Sequence, residues 1–129
     1  MIEHQDILGT LRALMTEYSL PLWAHEGWDS SRGGFVERLG PDGKADQFAP
    51  RRVRVQARQI YSFALAARLG WFPQGRDIAM KGMNYLLANA RSPDGRPGYV
   101  HLIDADGNVL DPLRDAYDHA FVLLAMAKL

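Results

Sequence analysis

RVRVQARQIYSFALAARLGW, Arg52–Trp71, is the stretch on which the fold turns. It reads as a helix over roughly Arg51 to Leu69 with almost no side that belongs in water. One stripe carries Ile60, Phe63, Ala64 and Ala67. A second carries Arg54, Arg58, Tyr61, Leu65 and Arg68, and the remaining side has Gln59, Ser62, Ala66 and Leu69. A helix that is largely apolar around its circumference is a buried one. Its arginines and glutamines crowd the first half, among residues that belong inside, and they need a purpose there.

The neighbouring segments are of two kinds. Upstream, Ile7, Leu8, Leu11, Leu14, Met15 and Tyr18 fall at helix spacing with one apolar stripe, opposite Arg12 and Glu17, which predicts a surface helix packed on one face. Pro21 either interrupts it or starts a second turn of helix. Downstream, Arg76 to Arg91 is amphipathic, with Asp77, Lys81, Asn84 and Arg91 outward and Ile78, Tyr85, Leu86 and Leu87 inward. The last segment, PLRDAYDHAFVLLAMAKL, predicts a fourth helix that is apolar from Ala120 to Ala127 and ends without a glycine cap. Before each buried helix stands a glycine-rich stretch: DSSRGGFVERLGPDGK, read as a β-hairpin or an extended loop, and SPDGRPGYVHLIDADGNVLD, read as another hairpin.

These two stretches are copies. Gly34, Phe35, Val36, Leu39, Asp42 and Gly43 match Gly98, Tyr99, Val100, Ile103, Asp106 and Gly107, every pair 64 positions apart. The sequence therefore divides into two units of about 64 residues, each an outer amphipathic helix, a hairpin and a buried helix, with no separate second domain. Alternation of half-exposed and buried helices predicts an all-α fold, the arc of an α/α toroid. Polar residues near the end of an inner helix then face a central pocket. Two units cannot close a ring, so either more chain follows or the arc assembles with others as a homo-oligomer.

Composition sets the outer limits. The 129 residues suffice for one small core. Fifteen Lys and Arg balance fifteen Asp and Glu, which gives no electrostatic reason for a nucleic acid or anionic membrane partner. There is no cysteine, which excludes disulfides and thiolate metal sites and fits a cytoplasmic protein. The start, MIEHQDILGTLRALM, is too charged for a secretion signal. No apolar run approaches the ~20 residues of a membrane span.

Three motifs carry a resemblance. DSSRGGF, RVQARQIYSFALAARLGW and DAYDHAFVLLA, in this order and spacing, are similar to the N-acylglucosamine 2-epimerase family, which includes D-mannose isomerase and cellobiose 2-epimerase. The bacterial D-mannose isomerase branch is nearest, from GW after the helix and from YDHAFVLLA. The resemblance implies an (α/α)6 barrel about three times this length, of which this chain is an N-terminal fragment. It also implies a sugar isomerase or 2-epimerase working through a cis-enediol, with no cofactor and a small-molecule aldose such as D-mannose as substrate. The resemblance puts the acid/base histidines in later helix pairs, so His4, His25 and His101 are not offered as catalytic.

The resemblance places Arg58 against the sugar oxygens, where a planar donor fork stabilises enediolate charge; an ion pair inside the barrel is the plain alternative. Tyr117 matches a pocket-lining position, with core packing as its alternative. Arg54, one turn before Arg58, either reaches the pocket mouth or is solvated at the helix start. His119 lies about 200° around the helix from Tyr117 and is better read as a satisfied buried or interface histidine. Phe35 and Trp23 either form an aromatic wall or belong to the core. DADGN lacks the ligands of a calcium loop and is a hairpin turn, and with no histidine pair at ligand spacing no metal is expected. No P-loop, dinucleotide fingerprint or nucleophile elbow is present. Two other readings stay open: a non-catalytic helical-repeat module binding a sugar or a protein, and a truncated product with exposed inner helices.

Overall fold

The computed structural model describes residues 4–129. The charged start that argued against a leader begins at residues 1–3, outside the described residues. The chain opens with α1 (His4–Ala13), a π-helical segment (Leu14–Ser19) and α2 (Leu20–His25), joined without a break in helical backbone. Pro21 therefore does not stop the helix. A proline clashes with the carbonyl four residues back, and the wider π turns just before it are where a helix relieves such a clash. The apolar stripe expected to pack does not: Ile7, Leu8, Leu11, Leu14 and Tyr18 are all exposed, and only Met15 reaches the core.

The central helix is α3 (Val53–Arg68), two residues shorter at its start than the periodicity suggests. Arg51 and Arg52 form β1 instead, because they pair with β2 (Leu102–Ile103), a partner that no local pattern reveals. Val53 extends that pairing by donating to the His101 carbonyl, 3.0 Å away. At its far end α3 closes in a Schellman motif. The Trp71 N–H reaches the Ala66 carbonyl at 2.9 Å and the Gly70 N–H the Ala67 carbonyl at 3.1 Å, with Gly70 at φ +71°. α4 (Gly75–Asn89) and α5 (Ala116–Lys128) pack on α3 from two sides. β3 (Val109–Asp111) completes an antiparallel β1-β2-β3 sheet. Its turn is held by Asp104, whose carboxylate accepts from the Asp106 and Asn108 N–H groups at 2.9 Å each, so DADGN is the turn expected.

The core runs through Phe35, Val53, Ala57, Ile60, Phe63, Leu86, Val100, Ile103, Val122 and Ala125. Leu87, expected inward on α4, is partly exposed. The first glycine-rich stretch makes isolated bridges, Trp28 with Phe35 and Leu39 with Ala45, rather than strands, so of the two readings the extended loop holds there.

The two matched stretches make the same backbone bonds. Asp29 N–H donates to the Gly34 carbonyl and Ser92 N–H to that of Gly98; Val36 N–H donates to Gly27 and Val100 N–H to Ala90. Gly34 and Gly98 sit at φ +80° and +92°, where a side chain is strained, and a Cβ would also strike the Tyr85 ring or His119 Nε2.

Arg51 ties the first stretch to α3. Fully buried, it meets the buried Asp29 carboxylate at 2.6 Å and donates to the Gly33 carbonyl at 2.7 Å and the Tyr85 hydroxyl at 3.1 Å. Arg114, two residues before α5, does the same on the surface, donating to Asp94 and, at 3.0 Å, to the Pro97 carbonyl. Burial alone would raise the Asp29 pKa. Donation from the Arg32 backbone and from the Arg51, Arg32 and Ser31 side chains outweighs it and lowers the pKa to about 2.

Candidate functional site

The first turns of α3 and α5 lie side by side and interleave their side chains. Arg54 and Arg58 stand one turn apart on α3; Tyr117 and Phe121 stand one turn apart on α5. The Arg54 guanidinium lies 4.8 Å from the Tyr117 ring centre and that of Arg58 5.4 Å from the Phe121 ring centre. The two rings meet edge to face at 5.0 Å. Both guanidinium groups thus stand over aromatic rings within cation–π reach.

The arginines differ in their charge partners. Arg54 is drawn to two carboxylates: its Nε is 3.0 Å from Asp118 Oδ1, and a terminal nitrogen is 3.6 Å from Asp115 Oδ2. The first contact is close but off the hydrogen-bond angle, so Arg54 Nε and Asp118 Oδ1 are both buried without a hydrogen bond. Asp118 is fully buried, and its other oxygen meets His101 Nδ1 at 2.6 Å. Arg58 is exposed and makes no ion pair among the described residues. It also borders a cleft of about 290 Å³ with Trp23, Glu37, Val55, Gln59 and Ser62. Tyr117 is half exposed at 51%. Its backbone N–H is capped by the Asp115 carboxylate at 2.9 Å, which fixes the start of α5.

Two expected residues lie elsewhere. Phe35 has no exposed surface: it stacks on Phe63 at 5.7 Å and meets Trp28 edge-on, so it is core and not part of an aromatic wall. His119 is committed at both nitrogens. Nδ1 lies 2.7 Å from the Asp115 carbonyl, which can only accept, so Nδ1 carries the proton; Nε2 accepts the Tyr99 N–H at 3.0 Å. Gln56 has the same task in the first stretch, its Oε1 accepting the Phe35 N–H at 2.8 Å. Each is the fourth residue of its helix, and each serves the residue after the repeat glycine.

His101, Asp115 and Asp118 offer three ligand atoms within 4.8 Å of one another, the one such group among the described residues. They come from a loop and a helix start, so no linear spacing announces them. The Arg54 guanidinium already stands against both carboxylates, and His101 Nδ1 is within hydrogen-bond distance of Asp118 at 2.6 Å. The two carboxylates of the group thus already have a cation beside them, although Asp118 Oδ1 accepts no hydrogen bond. The other basic cluster, Arg68, Arg76 and Lys128 around a cavity of about 340 Å³, lies at the far end of α3, about 15 Å from Arg58 at helical rise.

Residues 33–129 match the N-acylglucosamine 2-epimerase (GlcNAc 2-epimerase) family. A mannose-6-phosphate isomerase of Rhizobium meliloti (strain 1021) is 40% identical over 121 residues, 94% of this chain and 30% of that protein. A solved D-mannose isomerase superposes with a TM-score of 0.78 at 28% identity, over 92% of this chain and 29% of that one. The cellobiose 2-epimerase of Spirochaeta thermophila DSM 6192 has the same fold, with a TM-score of 0.86 at 23% identity over 96% of this chain and 30% of its own. The chain spans about 30% of the length of the relatives it matches.

Proposed function

The chain belongs to the N-acylglucosamine 2-epimerase family, and from that premise we propose that it supplies one wall of the sugar site of an isomerase or 2-epimerase acting on an aldose such as D-mannose. The observation that carries this reading is Arg58, exposed, free of ion pairs among the described residues and standing over the Phe121 ring beside the half-exposed Tyr117. A guanidinium in that position stabilises negative charge that develops on a sugar oxygen, and the phenol offers a face to stack on and a hydroxyl to donate.

In the reaction a base removes the C2 proton of the ring-opened aldose, giving a cis-enediolate whose negative oxygen Arg58 faces. Return of a proton to C1 gives the ketose; return to C2 from the other face gives the epimer. Acid/base work of this kind suits histidine. His101 is engaged by Asp118 and His119 by the backbone at both nitrogens. The family resemblance puts the proton-transfer histidines in later helix pairs, in the part of the family's length that this chain does not span. The same engagement favours, for these 129 residues taken alone, a second reading as a helical module that binds a sugar without turning it over.

Mannose is preferred here over its phosphate. Arg54, the other guanidinium on this face, is already compensated by Asp115 and Asp118, which leaves Arg58 uncommitted among the described residues. The test is to offer D-mannose, D-mannose 6-phosphate, cellobiose and an N-acylglucosamine to the full-length protein, and to follow ketose and C2-epimer formation by NMR. Preferential turnover of D-mannose is expected. Turnover of the phosphate alone would reassign the substrate, and binding without turnover would favour the module.

A further inference from the structure

We infer that Asp118 is a positioning residue: it anchors the Arg54 guanidinium against the Tyr117 ring and so sets where that phenol meets the sugar. This rests on the proposed role of Tyr117 as a sugar-facing residue. Tyr117 is the second residue of α5, half in solvent, and its ring has the Phe121 ring beside it, edge to face at 5.0 Å, and the guanidinium of Arg54 over it at 4.8 Å. A free arginine side chain samples many rotamers and would hold nothing in place. Arg54 is not free. Its Nε is 3.0 Å from an oxygen of Asp118, a carboxylate with no exposed surface.

A buried carboxylate is held by its compensating charges, and removing one partner is strongly destabilising. Asp118 is met from two directions, by a cation and by an imidazole nitrogen. Arg54 comes from the start of α3 and His101 from the strand loop before α5, with His101 Nδ1 at 2.6 Å. The same loop is fastened to α3 by the Val53 N–H to the His101 carbonyl. Asp118 thus sits at a junction of α3, the β2 loop and α5, and the group it steers there is the plane against Tyr117. Among the described residues Arg58 has no such anchor, so the fixed cation and the uncommitted one stand one turn apart.

The test places 3-fluorotyrosine at position 117 of the full-length protein and reads its fluorine resonance in the parent, in Asp118→Asn and in Arg54→Lys. Asn keeps the shape and removes the charge; Lys keeps the charge and removes the plane. Both substitutions are expected to move or broaden the fluorine line. In otherwise unlabelled protein they are expected to lower kcat/KM for D-mannose by on the order of tenfold, a loss typical of small misplacement. In a Tyr117→Ala background that loss is expected to vanish, because the arginine then has no ring to hold; a purely structural role would leave it unchanged. An unmoved fluorine line in both variants, or kcat/KM losses that simply add to that of Tyr117→Ala, overturns the inference. If Asp118→Asn does not fold, Arg54→Lys decides alone. If the parent turns over no aldose, the functional reading fails while the fluorine line still decides this one.

Discussion

Arg54 and Arg58 are one turn apart on the same helix, and what separates them is the company of carboxylates. Arg54 is claimed by Asp115 and Asp118; Arg58 is not. The sequence shows both arginines on one stripe but not this difference, because Asp118 is buried from a helix whose neighbours are apolar and His101 comes from a separate loop. The same holds for Asp29 and Arg51. Breaking that buried pair with Arg51→Met leaves an uncompensated carboxylate and is expected to cost about 3–5 kcal/mol, read by urea denaturation. Asp29 also gives a pH dependence with a definite sign. Its folded pKa of about 2 lies below the ordinary 3.8, so its contribution is fully present above that ordinary value and is lost as the pH falls from there toward 2. The expected loss is about 2 kcal/mol, measured as denaturation midpoints between pH 5 and pH 2 and absent in Asp29→Asn.

Elements follow from the sequence where a single residue type forces the backbone. Gly34 and Gly98 are legible as repeat marks because both stand in the left-handed region, and the bonds around them match. The helix that follows the first is legible as the central one; α5, read as buried, keeps only Asp118, Val122 and Ala125 inside. The latch between each glycine and its helix is not legible, because its residues are chemically unlike: Gln56 serves Phe35 and His119 serves Tyr99. They also stand 63 positions apart rather than 64, so the glycine register passes over them. The latch predicts that His119→Gln folds with stability close to the parent. His119→Ala, which leaves the Tyr99 N–H without its acceptor, is expected to cost about 1–3 kcal/mol in urea denaturation and to speed exchange of the Tyr99 amide. The first helix shows where periodicity misleads. Its apolar stripe is real, but a stripe states what can be buried and not whether a partner is present, and Leu8, Leu11 and Tyr18 face solvent. The β1 strand is the opposite case, polar residues held in place by a partner some fifty positions away.

At the scale of the molecule, α5 presents an apolar surface to solvent. Leu123 is 66% exposed, with Leu124 and Met126 exposed beside it. The chain spans about 30% of its relatives' length, and in an α/α barrel such a surface faces the next helices. Leu123→Asp is therefore expected to leave the stability of the 129 residues within about 0.5 kcal/mol, as surface changes do. In a protein of the relatives' length it is expected to cost more than about 2 kcal/mol, the desolvation of an unpaired carboxylate. Denaturation of both lengths separates these outcomes. The measurement that bears most directly on the proposed function is the conversion of D-mannose by the full-length protein, with and without Arg58→Ala, followed by NMR. Formation of a ketose or C2 epimer that falls by on the order of a hundredfold in the variant, the loss typical of removing one donor to a developing oxyanion, is the predicted result. Undiminished conversion by Arg58→Ala, or no conversion of any aldose by the parent, would contradict it.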